Sequence, residues 1–235
     1  MFTNFNEKNG RFISNAKFIK DTDCRVDLII GLTFPRQDLT LGLEPSVLTV
    51  LPDGDNVRYC VDNDDLPDDS EVAMYLCSVY VTGMHEFFEF CKTRDKSKIY
   101  AGGYEPTMNP SRFIDYCEKV IVGPCDEFYE TISQSGKVVK GITKFSRLPR
   151  YDLWDINLNQ QIIPDKSPSD LVTSINTSQG CPMRCDFCCS PLMSDRIISK
   201  PLSLVSWECR ELKKRSPKYI FIRDENFPLQ TDWKE

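Results

Sequence analysis

Between residues 25 and 135, short apolar runs rich in β-branched residues alternate with stretches of helical period, and this alternation restricts the fold more than any other feature. "RVDLIIGL" (25–32) has the unbroken apolar character of a strand buried on both faces, and "LGLEPSVLTVL" after it can carry a helix. "NVRYCVD" (56–62) alternates as a strand does. "EVAMYLCSVYV" (71–81) is a further β-branched run. It leads into "MHEFFEFCK", where Met84, Phe87, Phe88 and Cys91 fall at i, i+3, i+4 and i+7, one face of a helix. "KIYAGG" (98–103) is a strand closed by two glycines, and Asn109 before Pro110 predicts a helix start for "SRFIDYCEK". "KVIVG" and "CDEFYETIS" repeat strand and helix, with acidic residues at the helix's positive end.

Strands separated by helices reach one another by crossovers, which makes the sheet parallel and covers it with helices. Residues 25–135 are therefore expected to form an α/β unit, a flavodoxin-like Rossmann domain of five strands, behind an N-terminal extension at 1–24. Ligands of such sheets bind beyond the carboxyl ends of the strands. That rule selects the loops at Thr33 to Gln37, Ser78 to His85 and Gly102 to Glu105. Within them Ser78, Gly102 and Gly103 are the candidate contacts, since a diglycine lets backbone approach a ligand closely.

From 136 to 168 the period dissolves among prolines at 149, 164 and 168, and a linker is expected that packs across both flanking domains through Leu153, Trp154 and Ile156. Residues 169–235 open a second pattern: the strand "LVTSIN" (171–176), the helix "LVSWECRELKKR" and the strand "YIFIRDENF". Between the first strand and the helix lies "GCPMRCDFCC" (180–189). Its cysteines thus follow a strand, at the end of a parallel sheet where a β/α barrel places its active site.

The chain has eleven cysteines, an odd number, and Cys77, Cys91 and Cys117 sit singly inside apolar patterns. "MFTNFNEKNGRF" has no apolar core that could act as a secretory signal, and no run reaches membrane-spanning length. A reducing, cytoplasmic setting is expected, in which clustered cysteines are metal ligands or redox groups. A structural zinc site takes four ligands, commonly from two knuckles, whereas here there is one knuckle and the single histidine, His85, belongs to the other domain. Three thiolates on one tight loop, Cys181, Cys185 and Cys188, suit a 4Fe-4S cluster with one iron left open to a small molecule. The net charge of −6 and pI near 5.0 argue against sequence-independent nucleic-acid binding. "DNDDLPDDSE" places Leu66 and Pro67 where a calcium loop needs an oxygen ligand and a glycine, so it is an ordinary acidic loop.

"TSQGCPMRCDFC" resembles the signature of the radical SAM superfamily, including the aromatic Phe187 ahead of the last cysteine. "GGYEPTMNP", "KVIVGPCDEFYETI", "RLPRYDL" and "FIRDENF" follow the order seen in the cobalamin-binding-domain type of that superfamily, which includes methyltransferases and porphyrin-ring cyclases. The resemblance implies an enzyme in which Cys181, Cys185 and Cys188 hold the 4Fe-4S cluster. Its open iron chelates S-adenosylmethionine, and an electron from a donor such as flavodoxin or ferredoxin cleaves the sulfonium to methionine and a 5'-deoxyadenosyl radical. Phe187 would lie beside the adenine, and Asp224, Glu225 and Asn226 near the methionine ammonium. Cobalamin is an optional further cofactor, and "LTFPRQDLTLG" after the first strand offers it no histidine ligand.

On this resemblance residues 169–235 are the first units of a partial radical SAM barrel, apparently truncated. The expectation is that turnover needs a second polypeptide to complete the barrel. The alternative function is a non-catalytic iron-sulfur or corrinoid-binding module. Neither membrane nor nucleic acid is an expected partner, and the substrate, a small molecule, is not specified by these residues.

Overall fold

The computed structural model describes residues 5–6, 11–12, 27–34, 46–60, 66–153, 172–214, 217 and 219–227. Two short strands near the start, β1 (Phe5–Asn6) and β2 (Arg11–Phe12), pair antiparallel. The main sheet comprises β3 (Leu28–Phe34), β4 (Val57–Tyr59), β5 (Val72–Val79), β6 (Ile99–Gly102), β7 (Lys119–Val122) and β8 (Val138–Lys140). Every pairing in it is parallel, in the order β4-β3-β5-β6-β7-β8. The chain steps outward from β3 to β4, then returns to the other side of β3, a Rossmann-like arrangement whose order reverses between β3 and β5. β3 and β5 are interior strands, and their lack of alternation follows from burial on both faces.

One face carries α1 (Met84–Lys92), which buries Phe87, Phe90 and Cys91 against Leu28, Ile30 and Tyr75, with Phe113 and Cys117 completing the layer. Phe87 packs edge-on against Phe34 at 5.3 Å between centroids and meets Phe113 at 5.5 Å. The other face is covered by the 3-10 turn Ser46–Thr49, by α3 (Phe128–Ile132) and by Tyr151. Ile175 and Leu212 join that same cluster, so the C-terminal unit shares a core with the sheet.

Three sequence expectations shift. The helix foreseen after Asn109 is a 3-10 turn, Pro110–Arg112, and the α-helix is instead α2 (Tyr104–Met108) just before it. Asn109 ends α2 at φ −134° and ψ 57°, because the ring of Pro110 disfavours the helical conformation in the residue ahead of it. Its side-chain Nδ2 donates back to Glu105 Oε1 at 2.9 Å. The helix foreseen over residues 41–51 is, where described, the 3-10 turn Ser46–Thr49. Finally, the sheet runs one strand beyond the expected five: β8 lies in the stretch read as linker, a three-residue edge strand with only its middle residue, Val139, buried.

The rest of that linker binds both units. Arg147 donates to the carbonyls of Leu51 and, at 3.3 Å, Thr49, while the Arg150 amide donates to Leu48 O at 3.0 Å. Tyr151 donates its hydroxyl to Glu208 in the C-terminal unit. Leu153 packs against the shared core, and Trp154 and Ile156 lie outside the described residues. In the C-terminal unit β9 (Val172–Ile175) pairs parallel with β12 (Tyr219–Ile222) across the helix Leu202–Lys213, which buries Leu204, Glu208 and Leu212 at i, i+4 and i+8. Between β9 and that helix, β10 (Ser178–Gln179) and β11 (Ile198–Ser199) form an antiparallel pair that brackets the cysteine loop. Among the described residues no helix is long and apolar enough to cross a membrane.

Candidate functional site

The carboxyl edge of the main sheet holds the first group of candidates. Thr33, Ser78 and Gly102 are successive neighbours on one rung across β3, β5 and β6. Ser78 is buried there, next to Gly103. Gly103 has φ +99° and ψ −165°, a region essentially reserved for glycine, and a Cβ on it would stand 3.0 Å from Val79 N and 3.1 Å from the Ser78 hydroxyl. Gly102 is unlike its neighbour: a Cβ there meets only ordinary contacts with Ile121, at 3.6 and 3.7 Å. Glu105, at the end of the same loop, is buried and turned inward, 3.6 Å from Arg112. His85 is exposed in the first turn of α1.

The cysteine loop holds the second group. Cys181 is buried at its root, where its amide donates to Ser194 O at 3.0 Å, whereas Cys185 and Cys188 are exposed. Cys188 N donates to Cys185 O at 3.0 Å, so these two thiols leave a single turn. The Ser190 side chain and backbone hold the Cys188 thiol below the usual thiol range. Core cysteines behave oppositely: burial pushes Cys91 up to about 12 and raises Cys117 as well. The thiolate form, which binds iron, is therefore favoured at Cys188 and suppressed at Cys91 and Cys117. Phe187 is 93% exposed on the same turn.

The strand end beyond β12 is tied to the root of this loop. Asp224 accepts from Thr177 N at 2.7 Å, Thr177 Oγ1 at 2.5 Å and Ser178 Oγ at 3.0 Å. Glu225 Oε2 accepts from Gly180 N at 3.1 Å. Gly180 sits at φ +89°, and a Cβ on it would stand 2.2 Å from Arg196 O, so the approach of the two loop arms depends on that glycine. Asn226 follows in the turn, part-buried.

These two groups meet. A Cβ on Gly123, just past β7, would stand 3.0 Å from Met193 O in the turn Ser190–Met193 that closes the cysteine loop. Tyr104 faces Tyr80 with ring centroids 6.1 Å apart. Burial pushes the Tyr104 phenol up to about 12, with Glu225, Tyr80 and Cys189 adding to the effect and Arg223 opposing it. Residues just past the ends of β5, β6 and β12, together with Cys189 of the cysteine loop, thus share one electrostatic neighbourhood. Tyr104 lies in the loop Gly102 to Glu105 that the sequence selects, but it is not singled out there, because "GGYEP" shows only its glycines as unusual. Also unforeseen was the buried ion pair Lys200–Glu208, 2.5 Å long, which is visible in sequence only as two charges among many.

The donor set fits a thiolate-bound cluster in its chemistry: two solvent-facing thiols on one turn, a third at the loop root, and a lowered Cys188. Among the described residues no three ligand-type side chains already converge, so binding would draw Cys185 and Cys188 toward Cys181. No family model matches this chain, and no curated protein matches it.

Proposed function

We propose that this chain is a radical SAM iron-sulfur protein of the cobalamin-binding-domain type. Its flavodoxin-like Rossmann unit would be followed by the opening strand–helix–strand of a radical SAM barrel. The observation that carries the proposal is the position of Cys181, Cys185 and Cys188: a partly exposed loop downstream of β9, at the carboxyl end of a parallel strand pair, next to the carboxyl edge of the main sheet. A 4Fe-4S cluster held there, once reduced by an external one-electron donor, would supply the electron that splits S-adenosylmethionine into methionine and a 5'-deoxyadenosyl radical.

The chain's own residues have separable tasks. Cys181 anchors one ligand in a fixed backbone while Cys185 and Cys188 close from the exposed turn. Phe187 offers a free aromatic face to an adenine. The strand end at Asp224, Glu225 and Asn226 brings negative charge beside the loop. Ser78, Gly102 and Gly103 would be the contacts of a corrinoid at the main sheet's edge. β12 leaves Ile220, Phe221 and Ile222 exposed, which suits a further barrel strand beside it, supplied by a second polypeptide if not by this chain. The setting is a cytoplasm with a flavodoxin or ferredoxin as electron donor and a small molecule as substrate.

Anaerobic reconstitution with iron and sulfide, reduction, and chromatographic assay for 5'-deoxyadenosine after adding S-adenosylmethionine test the proposal. Formation of 5'-deoxyadenosine is expected when the rest of the barrel is present. A cluster that never cleaves S-adenosylmethionine under those conditions would make this a non-catalytic iron-sulfur module.

A further inference from the structure

We infer that Asp224 is a positioning residue for the cysteine loop and does not contact a bound amine. The inference rests on the reading of Cys181, Cys185 and Cys188 as cluster ligands. An ionised carboxylate has about four acceptor sites. Asp224 commits at least three of them to the residues just ahead of the first cysteine: Thr177 N at 2.7 Å, Thr177 Oγ1 at 2.5 Å and Ser178 Oγ at 3.0 Å. Both Oδ2 sites are taken by hydroxyls that are themselves buried, with Thr177 8% and Ser178 1% exposed. A cationic ligand would have to displace these charge-assisted bonds.

What those bonds accomplish is visible along the segment. Thr177 is held on its other side by Lys200 N, which donates to Thr177 O at 2.8 Å. Ser178 and Gln179 pair with β11, Gly180 N is taken by Glu225, and Cys181 N is taken by Ser194 O. Every residue from Thr177 to Cys181 is thus fixed, and Asp224 links that segment to β12, the parallel neighbour of β9. Cys181 leaves this clamp buried, while Cys185 and Cys188 lie outside it and exposed. One pre-ordered ligand lowers the ordering entropy that capturing a cluster with three cysteines would otherwise cost.

The substitutions Asp224→Ala and Asp224→Asn separate positioning from ligand contact. Asparagine has nearly the same shape, and both hydroxyls can turn to accept from its amide, so the clamp survives without the charge. In the metal-free chain, amide exchange over residues 177–181 should quicken by about tenfold or more in Asp224→Ala and stay near the parent rate in Asp224→Asn. After anaerobic reconstitution, Asp224→Ala should lose most of its bound iron, and Asp224→Asn should keep both its iron and the change that S-adenosylmethionine induces in the cluster's paramagnetic spectrum. Ser178→Ala removes a single bond and should quicken exchange at Thr177 less, which serves if Asp224→Ala does not fold. Unchanged exchange in Asp224→Ala overturns the inference. So does an Asp224→Asn protein that keeps its cluster but loses the response to S-adenosylmethionine. If the parent chain binds no cluster, the functional proposal fails, and the exchange rates still decide the role of Asp224.

Discussion

Gly102 and Gly103 are indistinguishable in the sequence, yet only one of them has no alternative. Gly102 is regular strand with room for a methyl group, while Gly103 turns the chain out of β6 with backbone in a glycine-only region and Val79 directly behind it. Gly103→Ala should therefore cost about 2 kcal/mol or more in stability, from strain together with the Val79 contact. Gly102→Ala should change stability by under about 1 kcal/mol. Urea unfolding of both variants checks the contrast, and equal costs would contradict it. The same contrast shows a limit of the sequence: a diglycine advertises a turn, but which residue makes the turn depends on where the strand's last pairing falls.

Elements with strong internal period were legible. β3 and β5 announce themselves by length and apolar character, and α1 by its phenylalanines at helical spacing, because each buries a face that fixes its own pattern. Elements whose identity depends on neighbours were not. β8 is two exposed residues around Val139 and becomes a strand only because β7 offers an open edge. α2 is five residues whose end is set by Pro110. The cysteine loop is legible from its residue types and its place after a strand, while the bonds that brace it come from Asp224 and Glu225 just past β12, about 45 residues further on, a separation that local pattern does not span. Contacts between elements carry a further expected outcome. Lys200 and Glu208 form a buried pair, 6% and 1% exposed in their side chains, with Tyr151 bonded to the same carboxylate and Phe145 5.7 Å from the Lys200 ammonium. Glu208→Ala leaves that ammonium buried without its carboxylate and should lower stability by about 3–5 kcal/mol, whereas the double change Lys200→Met with Glu208→Leu should lose far less. Denaturant midpoints of the two proteins measure this, and a double variant as unstable as the single one would contradict it.

At the scale of the whole molecule, the C-terminal unit is not an appendage. Ile175 and Leu212 sit in the same apolar cluster as Ile29, Leu76 and Val139, and the segment Arg147–Leu153 bonds to both units. That shared core holds the cysteine loop against the carboxyl edge of the main sheet, where Gly123 meets Met193 O and the charges of Glu225 and Cys189 add to the burial that raises the Tyr104 phenol. A cysteine loop facing the carboxyl edge of a Rossmann-like sheet is the arrangement on which the functional proposal stands. Its most direct test is the iron content and paramagnetic spectrum of the anaerobically reconstituted chain beside its Cys185→Ala and Cys189→Ala variants. The parent and Cys189→Ala proteins should each carry one 4Fe-4S cluster, and Cys185→Ala should carry none. A normal cluster in Cys185→Ala, or no cluster in the parent chain, would contradict it.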